Sequence, residues 1–332
     1  ADFDASRAHH PWPGWLRVFA ALRPWSDGAR GEGEGVPLRV LDVGCGNARL
    51  AAFLDERLPA TTSDPDRTRL AYVGVDANAA LLEAAQARLP TEMAGRVELI
   101  QQDFLAESEV GGALPAGPFD LVAVFGVLHH VPGRETRLAL LRAARARLAP
   151  GGLLALTAWQ FADRPRFRRR RAPWSELPPL LGAPLDPTRL EPGDHLLRFG
   201  EDPDKPPRYC HQLSDAELDA LPEALGLALV DDFRDDGVEG DLNRYLVLRD
   251  YNVVRSGEVA DPGAGDASGF RSGFSPSSVS AAATACSAAS SRAALRWPWA
   301  AARPSQSSAS SRLRVVERSR LNMPPRLYWA AA

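Results

Sequence analysis

VLDVGCGNARL, residues 40–50, reads as a buried strand that stops at two glycines and turns into a helix. Its extension LRVLDV (38–43) is a short, nearly continuous apolar run, the pattern of a parallel strand covered on both faces. Gly44 and Gly46 keep side chains out of the following turn, so a ligand can reach the backbone there. The helix expected from Asn47, with Asn47 as its N-cap, points its N-terminus at the same spot. In open α/β sheets ligands lie beyond the carboxyl ends of strands, where this turn falls. A dinucleotide fingerprint needs G-x-G-x-x-G. The loop offers Gly44-Cys45-Gly46-Asn47-Ala48-Arg49 and lacks the third glycine. Asp42, just ahead of the turn, suits a cationic ligand better than a pyrophosphate. Cys45, between two glycines, reads as a small filler rather than a nucleophile.

Outward from this loop, apolar runs and helical periodicities alternate. AYVGVD (71–76), RVELIQQD (96–103), FDLVAVFG (119–126) and LLALTAW (153–159) read as further strands. Asn47 to Leu58, Asn78 to Leu89 and Arg134 to Leu148 read as helices, the second opened by Asn78 and the third closed by Pro150-Gly151-Gly152. Such alternation implies βαβ units. A helix at 214–226 and strands at 227–233 and 243–249 follow. The fold class is therefore α/β: a seven-stranded, mostly parallel, Rossmann-like sheet with a C-terminal antiparallel hairpin.

The 40–50 loop resembles the first motif of class I S-adenosylmethionine-dependent methyltransferases, and the resemblance extends over about residues 36–160. It implies S-adenosylmethionine as cofactor, held by Asp42, Gly44, Cys45, Gly46, Asp76, Ala77, Asp103, Phe104 and Gly126. In that family an acid in the place of Asp76 takes the ribose hydroxyls. One in the place of Asp103 takes the adenine amino group, with an apolar neighbour, here Phe104, flanking the ring. His129 and His130 follow the fourth strand, at the edge that faces the transferred methyl. Either is a candidate base or acceptor-orienting group, and a wall of the cofactor site is the plainer reading. For single residues, a capping acid at Asp42 and turn acids at Asp76 and Asp103 are the bland alternatives.

Three further segments bear on the acceptor. FDASRAHHPWPGW (3–15) resembles the Phe-Ser-x-Thr-Arg-x-x-Pro-Trp-Pro segment of the tRNA wobble-uridine carboxymethyl methyltransferases, with Ser6 for Thr and one extra residue after Arg7. The GCGN loop is typical of that family, with Ala48-Arg49 where Gly-Lys is usual. RYCHQLSDAEL (208–218) and DLNRY (241–245) resemble its last two segments, with Leu242 inserted and Arg244 for Trp. The resemblance implies a modified uridine of tRNA as acceptor, with Arg7, Trp12, Arg208, Tyr209 and His211 as substrate residues and a small activator subunit as a possible partner. DRPRFRRRR (163–171) holds six Arg in nine residues around Phe167, a pattern that can grip phosphates and stack on bases. A solvated loop on an acidic body is its bland reading. A small-molecule O- or N-methyltransferase and a non-catalytic binding scaffold are the competing functions.

Composition narrows the rest. The 332 residues are 45% hydrophobic and 24% charged, with net charge −3, an ordinary globular balance. Sixteen of the 22 Ser fall in residues 250–332, where 10 Arg face 5 acids, so 1–249 carry −8. That tail shows no sustained period and is expected to be disordered, a functionless extension rather than a nucleic-acid arm. The expected division is a lid or substrate segment (1–35), a methyltransferase domain (36–250, with a substrate-side insertion at 160–210) and the low-complexity tail (251–332). Three widely spaced Cys exclude a disulfide framework and a CxxC metal site, so no metal is expected. No apolar run nears the roughly 18 residues of a membrane span, and a cytoplasmic setting is expected.

Overall fold

The computed structural model describes residues 11–26, 37–58, 70–105, 110, 114–176, 186–198 and 206–250. Arg7 and the 251–332 tail lie outside them. Strands run in chain order β1 (Leu38–Val43), β2 (Leu70–Asp76), β3 (Val97–Gln101), β4 (Phe119–Val124), β5 (Leu148–Trp159), β6 (Arg171–Ala172), β7 (Asp194–Leu197), β8 (Arg208–His211), β9 (Ala228–Asp235) and β10 (Asn243–Arg249). Helices are α1 (Trp15–Ser26), α2 (Arg49–Arg57), α3 (Ala79–Arg88), α4 (Arg134–Arg145) and the short α5 (Pro165–Arg168), α6 (Asp215–Asp219) and α7 (Leu221–Leu225).

One seven-stranded sheet has the order β3-β2-β1-β4-β5-β10-β9. The first five strands pair in parallel, and β10 runs antiparallel to both β5 and β9. The order reverses at β1, so the β1 and β4 turns flank the crevice where such sheets bind ligands. All six residues of β4 and most of β1 are buried, as their apolar runs require. One apolar cluster joins Val40, Tyr72, Phe53, Trp15 and Tyr245 on one face, and another joins Leu41, Val122, Phe104, Leu140 and Leu246 on the other.

Three local expectations are corrected. Asn47 does not cap α2. Ala48 does so in a left-handed conformation (φ 55°) with no side-chain cap bond, and Asn47 is buried in the loop. Pro150-Gly151-Gly152 does not close the third helix, which ends at Arg145. β5 already starts at Leu148, and Gly151 N–H to Asp250 O (2.9 Å) and Asp250 N–H to Gly152 O (3.2 Å) tie the glycines to the end of β10. The last helix is two, α6 and α7, because Pro222 offers no N–H to continue α6. Asn78 caps α3 as its position implies, its side chain accepting from Ala80 N–H and Leu81 N–H.

The insertion after β5 folds into a small antiparallel sheet, β6-β7-β8. Phe161, Phe167, Leu197 and Cys210 form its core against Trp159. These strands are too short and too polar in sequence to announce themselves.

Candidate active site

The turn after β1 is shaped by backbone conformation. Gly44 (φ 75°) and Gly46 (φ 54°) are left-handed, which glycine adopts without a steric cost. Gly44 N–H and Cys45 N–H both donate to Val75 O, at 2.8 and 3.1 Å, and pin the turn to the end of β2. Cys45 packs over Gly74, where a Cβ would stand 2.8 Å from its sulfur. Burial pushes the Cys45 thiol up, so it is a filler and no nucleophile.

Two buried carboxylates meet beside this turn. Asp42 is 4% exposed and accepts a 2.6 Å hydrogen bond from the Tyr72 hydroxyl on the adjacent strand. Desolvation raises its pKa to about 7, opposed mainly by that hydrogen bond. Asp76 accepts from Gly46 N–H and Asn78 N–H, each at 2.8 Å, and burial raises its pKa to about 6. Ala77 is half-buried beside it. Asp103 is half-buried and accepts from Leu105 N–H at 2.9 Å, while Phe104 is sealed in the core beneath.

The β4 turn closes the other side. Gly126 (φ 70°) donates its N–H to the Thr157 hydroxyl at 2.9 Å. The Trp12 ring lies over Gly126, 3.3 Å from the position a Cβ would take. His129 sits between His130 and Trp159, with ring centroids at 4.1 and 5.0 Å. His130 is buried, with Nδ1 3.4 Å from Tyr209 O, and desolvation lowers its pKa to about 4. Arg208, on the same β8 strand, is half-buried, and desolvation lowers its pKa to about 10. Its charge helps to depress His130.

β8 also carries Tyr209 and His211, and neither is free to meet a substrate in the way its sequence position suggests. The Tyr209 hydroxyl donates to Asp194 at 2.6 Å. His211 is fully buried, with Nδ1 2.6 Å from the same Asp194 oxygen and Nε2 3.5 Å from Glu217. Arg137 of α4 completes this cluster on Glu191 (2.7 Å) and Glu217 (3.1 Å). Glu191, Asp194 and His211 lie close enough to share a cation. The Arg137 guanidinium already supplies positive charge there, and the cluster fastens the inserted sheet to α4 and α6.

The structure thus gathers Trp12, Asp42, Gly44, Gly46, Asp76, Gly126, His129, His130 and Arg208 around the carboxyl edge of β1, β2 and β4. Sequence reasoning missed Tyr72, Thr157 and Trp15. Tyr72 carried no signal beyond its place on β2: the register sets it beside Val40, and its hydroxyl reaches diagonally to Asp42, two positions further along β1.

Residues 41–154 match a family model described as a methyltransferase domain, which covers every cofactor-loop residue named above. A trans-aconitate 2-methyltransferase of Paracidovorax citrulli is 32% identical over 142 residues, 41% of this chain and 46% of that protein. An uncharacterized methyltransferase of Mycobacterium tuberculosis is 33% identical over 120 residues, 36% and 50% of the two chains. The chain spans about half the length of the curated relatives it matches. Among solved structures, 1,6-didemethyltoxoflavin-N1-methyltransferase of Burkholderia thailandensis aligns with a TM-score of 0.46 at 17% identity, covering 74% of this chain and 82% of that one.

Proposed function

We propose that the chain is an S-adenosylmethionine-dependent methyltransferase that esterifies a carboxylate of a small organic acid. The observation that carries the cofactor is the pair Asp42 and Asp76. Both carboxylates are buried at the strand ends and raised by desolvation, so a cationic ligand would restore the ionised form. The two glycines of the turn beside them put no side chain in a ligand's way, and the residues present therefore fit a sulfonium cofactor. Asp42 would face its positively charged end, Asp76 its ribose and Asp103 its adenine. Bound there, S-adenosylmethionine supplies an electrophilic methyl group.

A carboxylate acceptor needs no general base, because its lone pairs are available at neutral pH. His130, held neutral by burial, orients and walls. Arg208, half-buried beside it, carries a guanidinium whose fork matches a carboxylate. The work left to the protein is alignment and exclusion of water. The resemblance of 41% of the chain to a trans-aconitate 2-methyltransferase supports an acid acceptor.

A second acceptor also carries a carboxylate: a carboxymethyluridine of tRNA. The ridge around Phe167 favours it, because Arg166, Arg168, Arg169, Arg170 and Arg171 are all exposed. Among the described residues Arg164 alone of the six forms ion pairs, with Glu239 and Asp241.

One experiment separates the two. The full chain is given labelled S-adenosylmethionine with either a panel of di- and tricarboxylic acids or bulk tRNA containing carboxymethyluridine. Base-labile label in an acid, unaffected by Arg168, Arg169 and Arg170→Glu, supports the small-molecule reading. Label in tRNA, lost in that variant, replaces it.

A further inference from the structure

We infer that Asp236 is a positioning residue that latches the strap Trp12-Pro13-Gly14-Trp15 over the cofactor cleft. The inference rests on the cofactor reading above and adds to it a residue from the far end of the chain. Asp236 lies in the β9–β10 connection at φ 68°, a backbone region that Asp and Asn tolerate better than other side chains. It is buried, and its carboxylate takes three donors. Oδ1 accepts the Gly14 N–H at 3.3 Å, across 222 residues of sequence. Oδ2 accepts the Asn243 amide at 2.7 Å and the Tyr245 hydroxyl at 2.5 Å.

The strap passes tightly against Tyr245. A Cβ on Gly14 would stand 2.5 Å from the Tyr245 ring, so that ring and Asp236 together define where the backbone passes. Tyr245 is itself held by a parallel stack on Phe233, centroids 4.8 Å apart. From this anchor the strap reaches both turns of the cleft. Trp15 stacks on Phe125 (6.0 Å) and lies 5.9 Å from the Arg49 guanidinium at the start of α2. Trp12 stacks on Trp15 (5.7 Å) and covers Gly126. Asp236 touches neither turn and acts on the cleft through the strap and through Tyr245, whose ring lies 6.0 Å from Phe125. A closed aromatic roof slows ligand escape and keeps water out.

The test uses the full chain with Asp236→Ala, Asp236→Asn and Trp12→Ala, and reads S-adenosylmethionine affinity by calorimetry, chymotryptic cleavage at the strap, and thermal melting. Asp236→Ala is expected to weaken binding about tenfold or more and to speed cleavage after Trp15, the bond after Trp12 being protected by Pro13. Asn keeps an acceptor for Gly14 N–H and tolerates the left-handed backbone, so Asp236→Asn is expected to restore most of both. Trp12 is half-buried, so Trp12→Ala is expected to melt near the wild type yet bind as weakly as Asp236→Ala. Unchanged affinity in Trp12→Ala overturns the roof, and decides the matter even where Asp236→Ala fails to fold. A wild-type chain that binds no S-adenosylmethionine refutes the cofactor reading instead. Cleavage, which needs no ligand, then tests the latch alone, and equal cleavage of Asp236→Ala and the wild type overturns it.

Discussion

The Tyr72 hydroxyl donates to Asp42 from the neighbouring strand at 2.6 Å, with both side chains buried. This bond keeps a carboxylate that desolvation raises to about 7 within reach of ionisation at neutral pH. The ordinary value is 3.8. Between the two, the folded chain holds a proton that the unfolded chain has lost, so Asp42 costs stability as pH rises and the cost is complete above about 7. Asp76, raised to about 6, acts in the same sense. Ligand-free Asp42→Asn should therefore melt higher than the wild type at pH 8, with the gap closing toward pH 4. Cofactor affinity should move the other way. It should rise in the wild type through about pH 7, and in Asp42→Asn stay low and keep only the rise near pH 6 that Asp76 gives, as titration calorimetry across pH would show.

Tyr72→Phe separates the bond from the burial. Without the donor, Asp42 loses the main influence that lowers its pKa. The midpoint of the affinity profile should shift to higher pH. The fold should lose about 1–3 kcal/mol, the cost of a buried group left without its partner. Chemical denaturation and the same pH series would measure both. An unmoved midpoint would mean that Asp42 does not control binding.

His130 should not act as a proton acceptor. Its pKa of about 4 keeps the ring neutral across the working range. At saturating cofactor and acceptor, kcat should be flat from roughly pH 6 to 9, and His130→Asn should cost less than about tenfold, against the 10²–10⁴ typical of a general base. A limb in the pH–rate profile that vanishes in His130→Asn would restore the histidine to catalysis.

Arg208 should govern the acceptor and leave the cofactor alone. Arg208→Ala removes a charged hydrogen-bond donor of about 1.5–3 kcal/mol, so KM for a carboxylate acceptor should rise roughly tenfold to a hundredfold. S-adenosylmethionine affinity should stay within about twofold. Arg208→Lys should recover only part, since an ammonium cannot make the bidentate contact. Steady-state kinetics with separate titration of the two substrates would show the split.

Residues whose role is set by local chemistry were legible in the sequence. The apolar runs of β1 and β4, the turn at Gly44 and Gly46 and the Asn78 cap all follow from neighbours a few positions away. Roles set by distant chain were not. Asn47 has the chemistry of a cap, but the turn's left-handed run extends to Ala48 and displaces it. His211 looks like a pocket residue by resemblance, yet Asp194 and Glu217 enclose it in a sheet the sequence barely signals. Asp236 is one acid among several in the β9–β10 region, and only the meeting of Gly14 with Tyr245 gives it a task.

The central claim is that the edge formed by Asp42, Gly44, Gly46 and Asp76 holds S-adenosylmethionine. Titration calorimetry of the full chain at pH 8, beside Asp42→Ala and Asp76→Ala, tests it most directly. The account predicts saturable one-to-one binding by the wild type that weakens at least about tenfold in each variant. No binding by a folded wild-type chain, or equal binding by all three proteins, would contradict it.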